Sequence, residues 1–205
     1  MPDEALLRAL ADGARVIRLG TLFAHPNGAG GNLTIEHRSD MRLEGFELDE
    51  EWFAFVSSLV PTEIADGLSA EQGGFLAALG GAGGAWIVGP HSTPSDLDVV
   101  VVPRTPVTLA AADEMGFTFE TADGAHFNLS EFGMRLFAQI DGTSTLREMA
   151  AVVMSSALAD PEDREVVARA EAASGRSFDS LFMDEVLGFV TAIVESGSAS
   201  IEPVA

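Results

Sequence analysis

The sequence of 205 residues contains no cysteine, no tyrosine and no lysine. Without cysteine there is no disulfide, no thiolate metal ligand and no cysteine nucleophile. Its 11 basic residues are all arginine and form no cluster, against 32 acidic residues and a formal net charge of −21. The acidic residues are spread over the whole chain, 15 before position 100 and 17 after it. A nucleic-acid binder needs a basic face to displace counterions from phosphates, so this balance argues against such a partner. No apolar run is long enough to span a membrane. The first twenty residues, MPDEALLRALADGARVIRLG, lack the basic start and long apolar core of a signal peptide. A cytoplasmic protein with no membrane partner is therefore expected. The simplest use of the acidity is solubility or salt tolerance; the alternative is attraction of a basic peptide or a basic partner enzyme.

What is present is a globular composition, 47% hydrophobic, in a length that suits one domain or two small ones. The most structured stretch runs from His126 to Val153. Phe127 and Leu129 alternate with polar neighbours, as a half-buried strand requires. Ser130 is a good helix N-cap, and Glu131 puts negative charge in the first turn, where the helix dipole favours it. Phe132, Leu136, Phe137 and Ile140 then recur at helical spacing, and Asp141-Gly142 is expected to stop that helix. Thr143, Ser144 or Thr145 caps a second helix with Leu146, Met149, Ala150 and Val153 inward. Strand, helix, Asp-Gly corner and capped helix are the front half of a winged-helix unit.

The rest of the chain repeats this plan. Residues 3–14 form a short amphipathic opening, Arg15 to Phe23 a strand broken at Gly20, and Asn27-Gly28 a hairpin turn. The glycine loop at 25–32 lacks the Gly-Lys-Ser/Thr ending of a phosphate-binding loop, and no helix follows it. Leu33–Ile35 and Met41–Leu48 read as strands. Asp49 caps a helix to about Leu59, Thr62 a short one and Ser69 a third, before a strand over Ala85–Val88. Phe46-x-Leu48-Asp49-Glu50 aligns with Phe127-x-Leu129-Ser130-Glu131, which predicts a tandem repeat. The expectation is an α+β fold of two winged-helix-like units, each a small antiparallel sheet with three helices. Their limits are 1–90 and 105–205, with a Pro- and Ser-rich linker at 91–104. Residues 156–178 insert an extra helix into the second unit, with Asp160 as its cap, Pro161 at its first position and Gly175 at its end. A last helix starts at Ser177 or Asp179, and Ile201-Glu202 form a closing strand.

The second half resembles the PqqD-like family of winged-helix domains, the recognition elements for precursors of ribosomally made, post-translationally modified peptides. The residues that carry the resemblance are Asn128, Leu129, Ser130, Glu131, Asp141, Gly142, Thr145, Glu148, Met149 and Ala150, within about residues 105–202. The resemblance implies a non-catalytic adaptor that binds a leader peptide as an added strand and presents it to a modifying enzyme of the same pathway. It implies a strand site at His126, Phe127, Asn128 and Leu129, and a helix wall from Phe182, Glu185, Val186 and Phe189. No cofactor, metal or catalytic residue is implied. Glu120, Asp184 and Glu185 near such a groove would favour a leader containing Lys or Arg. The first unit would serve as a dimerisation or enzyme-docking module, so a homodimer is a further expectation. The insertion at 156–178 departs from the family pattern.

Two other readings stand beside this one. Ser95-Asp96-Leu97-Asp98 before Val99–Val102 resembles the metal-holding strand of nucleotidyltransferases, with Glu120 as a conceivable third carboxylate. The other is a regulatory winged-helix protein that pairs with another protein and binds no peptide. The histidines His25, His37, His91 and His126 show no metal-pair spacing, and neither a nucleophile elbow nor a dinucleotide fingerprint occurs.

Overall fold

The computed structural model describes residues 4–37, 42–59, 67–89, 91–114 and 116–204. The fold is α+β, with small antiparallel sheets and helices in two compact units, Met1–Ser92 with Ile201–Ala205, and Thr93–Ser200.

The first unit opens with helix α1 (Glu4–Ala11), then β1 (Arg15–Arg18) and a meander of β2 (Thr21–Ala24), β3 (Gly31–His37) and β4 (Arg42–Leu48). Helices α2 (Glu50–Ser57) and α3 (Ala70–Gly81) and strand β5 (Ala85–Val88) complete it. Caps define these helices. Asp49 accepts the Trp52 N–H at 2.9 Å, and Ser69 and Gln72 form a reciprocal capping box. The short helix expected after Thr62 falls mostly on residues outside those described. β5 pairs antiparallel with β1, from Arg15 opposite Val88 to Arg18 opposite Ala85. The core is Leu10, Val16, Leu33, Ile35, Leu48, Val56, Leu76 and Leu79, covered by Trp52 stacked on Phe75 at 4.2 Å. A fully buried aliphatic of this kind contributes about 1.5–3 kcal/mol.

The second unit repeats the order. A 3-10 turn (Pro94–Asp96) precedes β6 (Val99–Pro103), then the meander β7 (Val107–Asp113), β8 (Gly116–Thr121), β9 (His126–Leu129). Helices α4 (Glu131–Phe137), α5 (Leu146–Ala159), α6 (Pro161–Ser174) and α7 (Phe178–Glu195) follow, and then the start of β10 (Ala199–Pro203), which is in one sheet with β6 and whose residues from Ile201 on group with the first unit. Phe119 stacks on Phe127 at 5.3 Å and meets Phe137 at 4.9 Å, joining the sheet to α4. Along α7, Phe182, Met183, Val186, Leu187, Phe189, Val190 and Ile193 are buried, the i, i+3, i+4 pattern of a core helix.

Three expectations change. Residues 91–104 are not a free connector from Thr93 onward: Leu97 and Val99–Val102 are buried, because an unbroken β-branched run gains most when covered on both faces. The second unit ends at Ser200; Ile201 belongs with the first, where its carbonyl accepts the Gly20 N–H at 2.8 Å. Helix α4 stops at Phe137 rather than at Asp141-Gly142. Asp141 instead accepts the N–H groups of Thr143 and Ser144 at 2.8 and 2.7 Å and shapes the corner before α5. Thr145, in a capping box with Glu148, is the cap of α5. The insertion forms α6 as read, with Asp160 as cap, Pro161 at its first position and Gly175 left-handed at its end. Arg135 on α4 holds α6 by a two-pronged pair with Asp163.

Candidate functional site

The meander order β7-β8-β9 leaves β9 hydrogen-bonded on one side only among the described residues. Which of its main-chain groups face outward follows from the register. Thr121 N–H donates to the Ala125 carbonyl at 2.9 Å, which fixes that pair as hydrogen-bonded. Bonded and non-bonded pairs alternate along an antiparallel ladder. Phe119 with Phe127 and Phe117 with Leu129 are then bonded pairs, so the N–H and C=O of His126 and Asn128 point to the open edge. The close approach of the Leu129 carbonyl to Gly116 agrees with this register.

Side chains follow the pleat. Phe127 and Leu129 are buried; His126 and Asn128 are exposed on the outer face, opposite Glu120 and Thr118. Asn128 is oriented by the Thr118 hydroxyl, which donates to its side-chain oxygen at 2.7 Å. Just past the strand, Ser130 caps α4 by accepting the Gly133 N–H at 3.0 Å and donates its own proton to Glu185 at 2.6 Å. Glu185 is thereby held at the end of the β9 edge, and α7 packs against β9.

The helix wall differs from the expectation. Phe182, Val186 and Phe189 are 1%, 0% and 2% exposed, so they are core and offer no surface to a ligand. The tertiary packing turns α7 so that Leu181, Glu185, Gly188 and Ala192 form its half-exposed stripe. A Cβ added at Gly188 would meet nothing within 4 Å, so space lies beside that stripe. Gly188 and Ala192 give no signal in the sequence because small residues read as filler between larger apolar neighbours, and Leu181 reads there as one of the apolar stripe that packs into the core. Of the expected acidic rim, Asp184 pairs with Arg176 at 2.6 Å, so the local negative charge comes from Glu120 and Glu185.

The carboxylates of the Ser95–Asp98 stretch serve other ends. Asp96 accepts from the N–H and hydroxyl of Thr93 at 2.7 and 3.0 Å, closing the 3-10 turn, while Asp98 pairs with Arg147 at 3.2 Å. Glu120 lies on β8, opposite His126. Among the described residues, no three His, Asp or Glu side chains are grouped to hold a metal ion. No helix among them is long and apolar enough to cross a membrane. Comparison of the chain with protein-family models, with curated proteins and with solved structures finds no match.

Proposed function

We propose that this chain is a non-catalytic adaptor in the cytoplasm that binds the leader segment of a ribosomally made precursor peptide and presents it to a modifying enzyme. The peptide adds as a fourth strand to β9. The observation that carries the reading is the open edge of β9, with the main-chain groups of His126 and Asn128 outward and Glu185 held at its end by Ser130. Strand addition draws affinity from such main-chain groups and specificity from neighbouring side chains. The half-exposed stripe Leu181–Glu185–Gly188 supplies the adjoining wall, and Glu120 with Glu185 favours a leader carrying Lys or Arg. The order of a three-stranded meander followed by helices is consistent with the PqqD-like winged-helix arrangement.

The test pairs the tagged full chain with its Asn128→Pro variant in a lysate of the native host, read by mass spectrometry. Proline removes an outward N–H without breaking a ladder bond, so the sheet keeps its own pairing. A short precursor peptide, alone or with an enzyme, is expected with the wild-type chain and not with the variant. Recovery of only a large protein, or of the same peptide by both chains, would contradict the proposal.

A further inference from the structure

The first unit carries an open edge of its own. Its meander order β2-β3-β4 leaves β4 bonded only to β3 among the described residues. The register is continuous from Gly31 opposite Leu48 to His37 opposite Arg42. The Leu48 carbonyl turns toward β3, 2.3 Å from where a Cβ of Gly30 would stand, the same approach that Leu129 makes to Gly116. Gly31 with Leu48, Leu33 with Phe46 and Ile35 with Glu44 are then the bonded pairs. The outward main-chain groups belong to Leu43, Gly45 and Glu47, three residues where β9 offers two.

The side chains of this edge select an occupant. Leu43 is 69% exposed, a large apolar side chain on a strand paired on one side only among the described residues. Gly45 has no side chain, and a Cβ there would meet nothing within 4 Å, so the exposed face is open beside Leu43. Glu47 is exposed on the same face, and Glu50 and Glu51 follow, also exposed. Residues 42–51, RLEGFELDEE, hold five carboxylates against one arginine. Proteins commonly blunt an open edge with inward charges, lysine or proline, and β4 has neither lysine nor proline.

We infer that β4 is a second strand-accepting edge, and that its occupant is an extended polypeptide segment with an apolar residue and a Lys or Arg on the same face, four residues apart as Leu43 and Glu47 are. Main-chain bonds to Leu43, Gly45 and Glu47 hold the segment. An apolar side chain covers Leu43, and the cation sits near Glu47, Glu50 and Glu51. This inference stands on the first unit alone and does not depend on the β9 reading.

The test uses the full chain carrying Asn128→Pro, which silences β9. The probes are a short fluorescent polythreonine peptide carrying Val and Lys four residues apart (Lys/Val) and its counterpart with Glu in place of Lys (Glu/Val), followed by fluorescence anisotropy. The Lys/Val peptide is expected to bind, and the Glu/Val peptide not. Adding Gly45→Pro should weaken binding at least about tenfold through loss of an outward bond and of edge geometry. Glu47→Lys should weaken it severalfold while leaving the strand intact, and it decides the matter if Gly45→Pro unfolds. Failure of the Lys/Val peptide to bind, equal binding of the two peptides, or binding unchanged by both variants would overturn the inference. The β9 reading is judged separately, by the comparison of wild type with Asn128→Pro for the recovered precursor.

Discussion

Ser130 joins three elements with one hydroxyl. It ends β9, caps α4 through the Gly133 N–H and donates to Glu185 on α7. Ser130→Ala should cost about 1 kcal/mol and lower the melting temperature by roughly 4–8 °C. Glu185→Ala keeps the cap, so it should cost less stability but weaken peptide binding. A thermal melt and a binding titration of the two variants separate these effects. Asp141 is a second single-residue device: the Ser144 and Thr143 N–H groups and the Ser144 hydroxyl hold its carboxyl well below the ordinary aspartate range. A carboxyl whose folded value is depressed stabilises the fold fully above its unfolded value of about 3.9, and that stabilisation is lost as pH falls toward the folded value. Glu148, bonded to Thr145, and Asp123, bonded to Thr121, are shifted the same way. Wild type should therefore lose more melting temperature than Asp141→Ala between about pH 5 and about pH 2.5. An equal loss in both would contradict the role given to Asp141. Residues of this kind were largely legible in the sequence. Asp49, Ser69, Ser130 and Asp160 cap where their spacing says they should, because a cap depends on neighbours within three residues. Asp141 was misread for the same local reason, since one Asp-Gly corner serves equally to end a helix or to lead into the next.

At the scale of elements, the meanders share one requirement. Gly30 and Gly116 have φ of 88° and 132°, and a Cβ at either would lie 2.3 or 2.4 Å from the carbonyl oxygen that ends the third strand. Neither position tolerates a side chain without moving backbone. Gly116→Ala should destabilise the second unit by about 2–3 kcal/mol, and Gly30→Ala should act alike on the first; urea unfolding of each variant measures it. Little or no loss would mean that the Leu129 carbonyl is not held against β8 as the register requires. Element type was legible from periodicity, and β9 from the alternation of Phe127 and Leu129. The outward arc of α7 was not. Its apolar residues are so numerous that periodicity gives a broad stripe, and only packing against α4 and the sheet decides which edge of that stripe is covered. That is why Phe182, Val186 and Phe189 proved to be core, and why Gly188 and Ala192 stayed unnoticed.

Across the whole molecule, a single plan occurs twice. A short helical element leads to a strand that pairs with the last strand of the plan, β1 with β5 and β6 with β10. Between them stand a three-stranded meander and helices, and the second copy is lengthened by α6. The alignment of Phe46–Glu50 with Phe127–Glu131 made this repeat visible in the sequence, because a strand running directly into a capped helix leaves a compact signature. The limits of the units were less legible: the prolines around Val99–Val102 suggest a linker, whereas burial of the valines makes that run part of the core. Among the described residues both copies end their meander on a strand paired on one side only, and the proposed function rests on that edge in the second. The most direct measurement is residue-resolved amide hydrogen exchange along β9, without and with the recovered precursor peptide. Fast exchange is expected at His126 and Asn128 and slow exchange at Phe127 and Leu129 in the free protein, with His126 and Asn128 becoming protected when peptide binds. Slow exchange at all four in the free protein, or no gain of protection at His126 and Asn128 on binding, would contradict it.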